Sequence, residues 1–288
     1  MFEPFHYEFF VRGLVAATLV GGLCGLLGVY IVLRRMAYIG HGLSHAVFGG
    51  AVVSYVMALN FYIGASVWGF LSAVLITLTT RKQKIGADAA IGIVTTASFA
   101  LGVALISRYK TFTRNFDAAL FGNILGVTQG DMAAIIGVTI AVGVVFFVGY
   151  KYFLFNTFDS EVARFYGLPT GWVDTLFSLV LAATIVVSMQ VLGVTLIAAA
   201  IVIPPVVARL LTDSFRSMVA LSTALGAACG LVGIYLSYYL DVSSGASVVL
   251  VAAALFVVVL ALTSLRRGRR PSDVSERRPS REHSAPTA

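Results

Sequence analysis

Charge is scarce in this chain. Asp, Glu, Lys and Arg make up 11% of its 288 residues, under half the roughly 25% of an ordinary soluble domain, so a chain that solvates its whole surface is excluded. Cysteine is rarer still: Cys24 and Cys229 stand alone, and both fall in apolar runs, where they read as small packing residues rather than a disulfide or a thiolate cage. The opening MFEPFHYEFF holds two acids and no basic cluster, so a cleaved secretory signal is not expected and the first apolar run should remain. No GxxxxGK[ST] phosphate loop occurs, which removes nucleotide hydrolysis by this chain itself. Nucleic acid is excluded by where the basic residues lie. From Arg266 onward seven arginines face only Asp273, Glu276 and Glu282, so +4 of the net +7 belongs to the tail. That tail, residues 266–288, is rich in Pro, Ser and Arg without apolar periodicity and is expected to be disordered beside an anionic leaflet.

Apolar sequence fills the rest: 59% of residues are hydrophobic and the mean hydropathy is +0.93, the balance of a polytopic membrane protein. Runs long enough to cross about 30 Å of hydrocarbon at about 1.5 Å per residue give nine expected spans. They lie near 12–33, 43–59, 62–80, 89–107, 131–150, 172–191, 193–211, 217–239 and 245–265, and the pattern accommodates eight to ten. The fold class is therefore an all-α transmembrane bundle over residues 1–265. Asp117 to Val127 is apolar yet too short to cross, and reads as a re-entrant or interfacial helix on the outer side.

Orientation follows from the basic residues, which are retained on the cytoplasmic side. With the C-terminus inside, sixteen of the twenty Lys and Arg are cytoplasmic, and Arg12, Arg108, Lys110 and Arg114 remain outside. Gly21, Gly25 and Gly28 in the first span, and Gly226, Gly230 and Gly233 in the eighth, are spaced for close helix contact.

Three features carry candidate chemistry. In RRMAYIGHGLSHAVFGG, His41 and His45 are four residues apart and share a helix face, so their imidazoles could converge on one ion. Ionisable groups at membrane depth line pathways or pair inside the bundle, whereas a single histidine at a membrane edge is often only an interfacial hydrogen-bonding group. HGLSH shares the histidine spacing of HExxH hydrolases, but Gly42 replaces the glutamate base, which argues against a protease. Pro204 and Pro205 interrupt an otherwise helical run and deprive the carbonyls of Ala200 and Ile201 of partners, pointing to a kinked span beside a pathway, or to a structural kink alone. In the connection 151–171, Asp159 can cap a short helix over SEVARFYG, Gly167 can end it and Pro169 prevents its continuation. Glu161 lies in its first turn, and Ala163 and Gly167 give it a small-residue face that a cytoplasmic partner could grip.

Taken together, LRRMAYIG with LSHAVFGG, DAAIGI at Asp88 to Ile93, LFGNILGV at Leu120 to Val127, FDSEVARFYGLP, LGVTLIAAAIVIPPVVARLL and SSGASVVL at Ser243 to Leu250 resemble, in order and spacing, the membrane permeases of ATP-binding cassette importers for zinc, manganese or iron. The resemblance covers nearly the whole chain except the arginine-rich tail. It implies a permease homodimer in the cytoplasmic membrane of a prokaryote, a separate ATPase subunit that binds ATP, an extracytoplasmic metal-binding protein, and a transported divalent ion, with no cofactor held by this chain. By resemblance FDSEVARFYGLP is the coupling helix seated in a cleft of the ATPase. His45 falls on the family's metal-contacting histidine, and His41 stands where the family commonly has aspartate. Two imidazoles favour zinc, iron or copper more than an Asp and His pair does. Tyr55, ten residues beyond His45 and close to the same helix face, is the candidate outer gate. The rival from another class is a secondary carrier driven by an ion gradient. Against it, Asp131 and Asp174 fall near expected span ends and no inverted repeat is evident.

Overall fold

The computed structural model describes residues 3–81, 86–109, 120–122 and 126–268. Among these, the apolar runs form eleven α-helices and no strand. After a short 3-10 helix, Glu3–His6, come α1 (Glu8–Leu33), α2 (Tyr38–Val56), α3 (Phe61–Arg81) and α4 (Ala87–Tyr109). They are followed by α5 (Gln129–Val148), two short helices α6 (Tyr150–Phe158) and α7 (Ser160–Phe165), then α8 (Thr170–Leu192), α9 (Ile197–Leu211), α10 (Phe215–Leu240) and α11 (Ser244–Gly268).

The nine expected spans correspond to α1–α5 and α8–α11. Seven of them are long and apolar enough by themselves to cross a membrane; α2 and α9 are not among these. α2 starts at Tyr38 instead of 43, so both histidines lie inside the helix. α9 starts at Ile197 instead of 193 and has 15 residues, about 22 Å of helix. α11 runs to Gly268, past the expected tail boundary at 266; residues 269–288 lie outside the described residues.

Of the seven, α1 and α8 are the most enclosed, whereas α5 and α11 present most of their surface outward. α1 lies along α10, and α2 is held between α3 and α4. Sequence spacing explains the first pair: a Cβ added at Gly21 would collide with the backbone of Gly226, and one at Gly25 with the backbone of Ser222. The bare backbones therefore touch, and the Ser222 hydroxyl donates to the Gly25 carbonyl at 2.6 Å. Dispersion at close range supplies the attraction that hydrophobic burial cannot supply in lipid. Cys24 and Cys229 are free and buried, as their apolar surroundings suggested.

The two ends of the bundle differ. At one end, Tyr30 packs its ring against Phe146, Phe153, Phe177 and Phe215, closing α1, α5, α6, α8 and α10 together. At the other, Thr128 caps α5 through a capping box with Asp131, and the buried Asp131 carboxylate also accepts from the Tyr62 hydroxyl of α3. Leu120–Gly122 docks at this same end. The Leu120 carbonyl accepts from the Thr195 amide at 3.3 Å and hydroxyl at 2.7 Å, and the Phe121 carbonyl accepts from Ser243 at 3.2 Å. Gly122 and Gly193 take φ of +79° and +77°, a region open mainly to glycine. Most of the expected helix 117–127 lies outside the described residues.

Candidate functional site

α1 passes into α2 through a tight turn in which Arg35 adopts φ +56° and the Met36 amide donates back to the Ile31 carbonyl at 3.0 Å. The turn sets α2 beside α4. His41 and His45 then fall on one face, with ring centroids 4.6 Å apart and planes at 76°. The His41 ring lies 5.5 Å from that of Tyr38, and the His45 ring 5.1 Å from that of Phe99 on α4. Both histidines are half-buried. His45 Nδ1 is buried and has no hydrogen-bond partner, a costly state for an imidazole that serves packing alone.

Close approach of α4 requires the α2 glycines. A Cβ at Gly42 would strike Ile91 and come within 2.7 Å of Thr95 Oγ1, and one at Gly49 would strike the Ser98 backbone. Among the described residues no group of three or more His, Cys, Asp and Glu could hold a metal ion. Two imidazoles with open positions around them can bind a dication and release it, which a closed four-ligand cage does not readily do. Tyr55 lies in the last turn of α2 and is exposed.

Pro204 and Pro205 lie inside their helix, and α9 is continuous across both. Its interruption lies before Ile197, in the residues around the positive-φ Gly193. The prolines are buried, and a Cβ on Gly28 of α1 would run into the Ile201 carbonyl and lie 2.8 Å from the Pro205 ring. The Ile201 carbonyl, left without its donor by Pro205, thus faces a closely packed neighbouring helix.

The short helix after residue 158 forms as the sequence spacing indicates. Asp159 Oδ1 accepts from the amides of Glu161 and Val162 at 3.0 and 2.9 Å, Gly167 takes φ +78°, and Pro169 precedes α8. The face was misassigned, however. Ala163 is only 2% exposed, whereas Phe165 and Tyr166 are 87% and 78% exposed. Six residues make α7 less than two turns long, and Ala163 is its anchoring side while the aromatic pair points out. A hollow lined by Lys151, Tyr152, Phe155, Val162, Tyr166 and Leu168 opens beside it.

The sequence reading missed α6 and what it holds. Arg34, 9% exposed in its side chain, donates from Nε to Thr157 at 3.1 Å and from Nη1 to Asp174 at 3.0 Å, with its guanidinium 4.7 Å above the Phe177 ring. Asn156 donates to the same Asp174 oxygen at 2.6 Å. This network ties α1, α6 and α8 beneath the start of α2. We expect Arg34→Leu to lower the stability of the purified protein by about 2 kcal/mol in graded SDS unfolding. That is less than a fully buried broken pair costs, because Asp174 keeps Asn156 and some solvent; an unchanged midpoint would contradict it.

Known proteins agree with this architecture. The model of the ABC 3 transport family matches residues 6–263. The chain is 36% identical over 276 residues to the manganese transport system membrane protein MntC of Halalkalibacterium halodurans, covering 93% of this chain and 94% of that one. It is 36% identical over 252 residues to the manganese import system permease protein ScaB of Streptococcus gordonii, covering 88% and 90%. The solved structure of PsaBC from Streptococcus pneumoniae in complex with Fab aligns with a TM-score of 0.79 at 35% identity, over 88% of this chain and 91% of that one. An all-α bundle with seven candidate membrane spans and a histidine pair on α2, matched by a family model and by relatives of nearly the same length, identifies the chain as a membrane permease of the ABC 3 transport family.

Proposed function

We propose that this permease carries a divalent transition metal ion, manganese first, across the cytoplasmic membrane as a homodimer driven by a separate ATPase. An extracytoplasmic metal-binding protein delivers the ion, α7 docks on the ATPase, and the C-terminus faces the cytoplasm. The observation that carries the reading is the α2 pair: two imidazoles 4.6 Å apart, one with a buried nitrogen that has no hydrogen-bond partner among the described residues. Manganese is taken from the names of relatives such as MntC and ScaB; zinc and iron are its competitors at an imidazole pair. His45 holds the ion with His41, Tyr55 gates the outer approach, and the sixteen-to-four distribution of basic residues supports the orientation.

The test is accumulation of radiolabelled manganese, zinc and iron in cells expressing the permease with its ATPase and binding protein. Manganese uptake should vanish in an ATPase-dead control and fall at least about tenfold in His45→Ala, the scale on which ligand-sphere losses act. Uptake that survives loss of the ATPase would transfer the assignment to a gradient-driven carrier. Full uptake by His45→Ala would remove the histidine from the path.

A further inference from the structure

α4 presents Ile91, Thr95 and Phe99 in one row, four residues apart, to the α2 segment that carries the histidines. Ile91 and Thr95 meet Gly42, and Phe99 meets His45 and Phe48. The row is apolar except at its middle. Thr95 is 7% exposed, and its hydroxyl has no hydrogen-bond partner.

A helical threonine in the right rotamer donates to the carbonyl four residues earlier. In this protein Thr18, Thr77, Thr139, Thr223 and Thr263 all do so, at 2.6–2.8 Å. Thr95 does not bond the Ile91 carbonyl. Thr184 on α8 is also unbonded, but Thr95 is the one set against Gly42, the residue after His41 and three before His45. Two unsatisfied buried atoms, Thr95 Oγ1 and His45 Nδ1, therefore flank the same short stretch of α2. Nine buried side-chain atoms are without a partner among the described residues; an absent ion is one physical reason for such atoms, and these two adjoin the histidine pair.

We propose that Thr95 Oγ1 is an oxygen donor to the ion held by His41 and His45, and that it tilts this site toward manganese. The inference rests on the importer reading above. Two imidazoles alone follow the order in which zinc outcompetes manganese; a hydroxyl oxygen, with the waters it can order, is the harder ligand that manganese accepts more readily. In Thr95→Val the shape of the side chain is nearly kept and the oxygen is lost, and Thr95→Ser keeps the oxygen and loses the methyl.

The experiment measures manganese and zinc uptake in the same cells, with permease abundance in the membrane followed alongside, and equilibrium binding of each metal to the purified permease–ATPase complex. Thr95→Val should lower the manganese-to-zinc ratio about tenfold in both assays at unchanged abundance, and Thr95→Ser should restore it. If the wild type accumulates manganese and Thr95→Val keeps its ratio, or loses both metals in proportion, this inference falls and the importer reading stands. If the wild type accumulates no manganese, both fall.

Discussion

Alanine at both Phe165 and Tyr166 is expected to leave the permease folded but unable to accumulate metal or retain its ATPase through purification. These rings are the most exposed large side chains of α7, at 87% and 78%, and lie edge to face with centroids 5.8 Å apart. Two adjacent aromatics this exposed, touching each other and, through Tyr166, only the rim of the hollow beside α7, have little buried surface to lose, so their removal should cost the isolated permease little. At a protein interface such rings commonly dominate the binding energy, each worth about 2 kcal/mol or more on truncation. Together they amount to about a thousandfold in affinity. Ala163→Asp is the contrasting variant: its carboxylate would replace a side chain buried against the bundle, and α7 should come away from its seat. Retention of the ATPase and normal uptake by the double alanine variant would remove α7 from the docking role; co-purification and uptake in vesicles read the two effects separately.

Valine at Gly21 should have the largest effect on stability. The added Cβ meets the Gly226 backbone, which has no rotamer to yield, so α1 and α10 must separate along a line that includes Ser222 and its bond to Gly25. Overpacking of this kind costs about 3 kcal/mol or more, and few domains hold more than about 15. We expect a sharply lower yield of monodisperse protein and an early unfolding midpoint in SDS. Gly137→Val on α5 is the control, since a Cβ there meets nothing within 4 Å. Equal loss in both variants would mean that helix propensity, not the crossing, sets the cost.

Hydropathy located the seven helices that are long and apolar enough to cross a membrane, because such a helix must satisfy its backbone in lipid by itself, whatever its neighbours do. The Asp159 cap and the Gly167 stop were equally visible, being local chemistry. What escaped the sequence was contact between distant segments. Nothing in DSEVARFYG tells which side of a six-residue helix rests on the bundle, and Ala163 was assigned to the wrong one. Arg34 was counted only as a positive charge, although its partners lie 123 and 140 residues away. Thr95 reads as one more residue in an apolar run until Gly42 is seen against it. The proline pair shows the same limit: two missing donors are plain in the sequence, and only the neighbouring α1 backbone shows what the Ile201 carbonyl faces.

Arg34 also has a mechanical meaning. It grips Thr157 of α6 and Asp174 of α8, and α2, with both histidines in its first eight residues, begins four positions further on. α6 in turn adjoins α7 through Asp159 alone. In the importer proposed above, a push delivered at Phe165 and Tyr166 would have a short bonded route to the foot of α2, through Asp159, α6 and the Arg34 contacts.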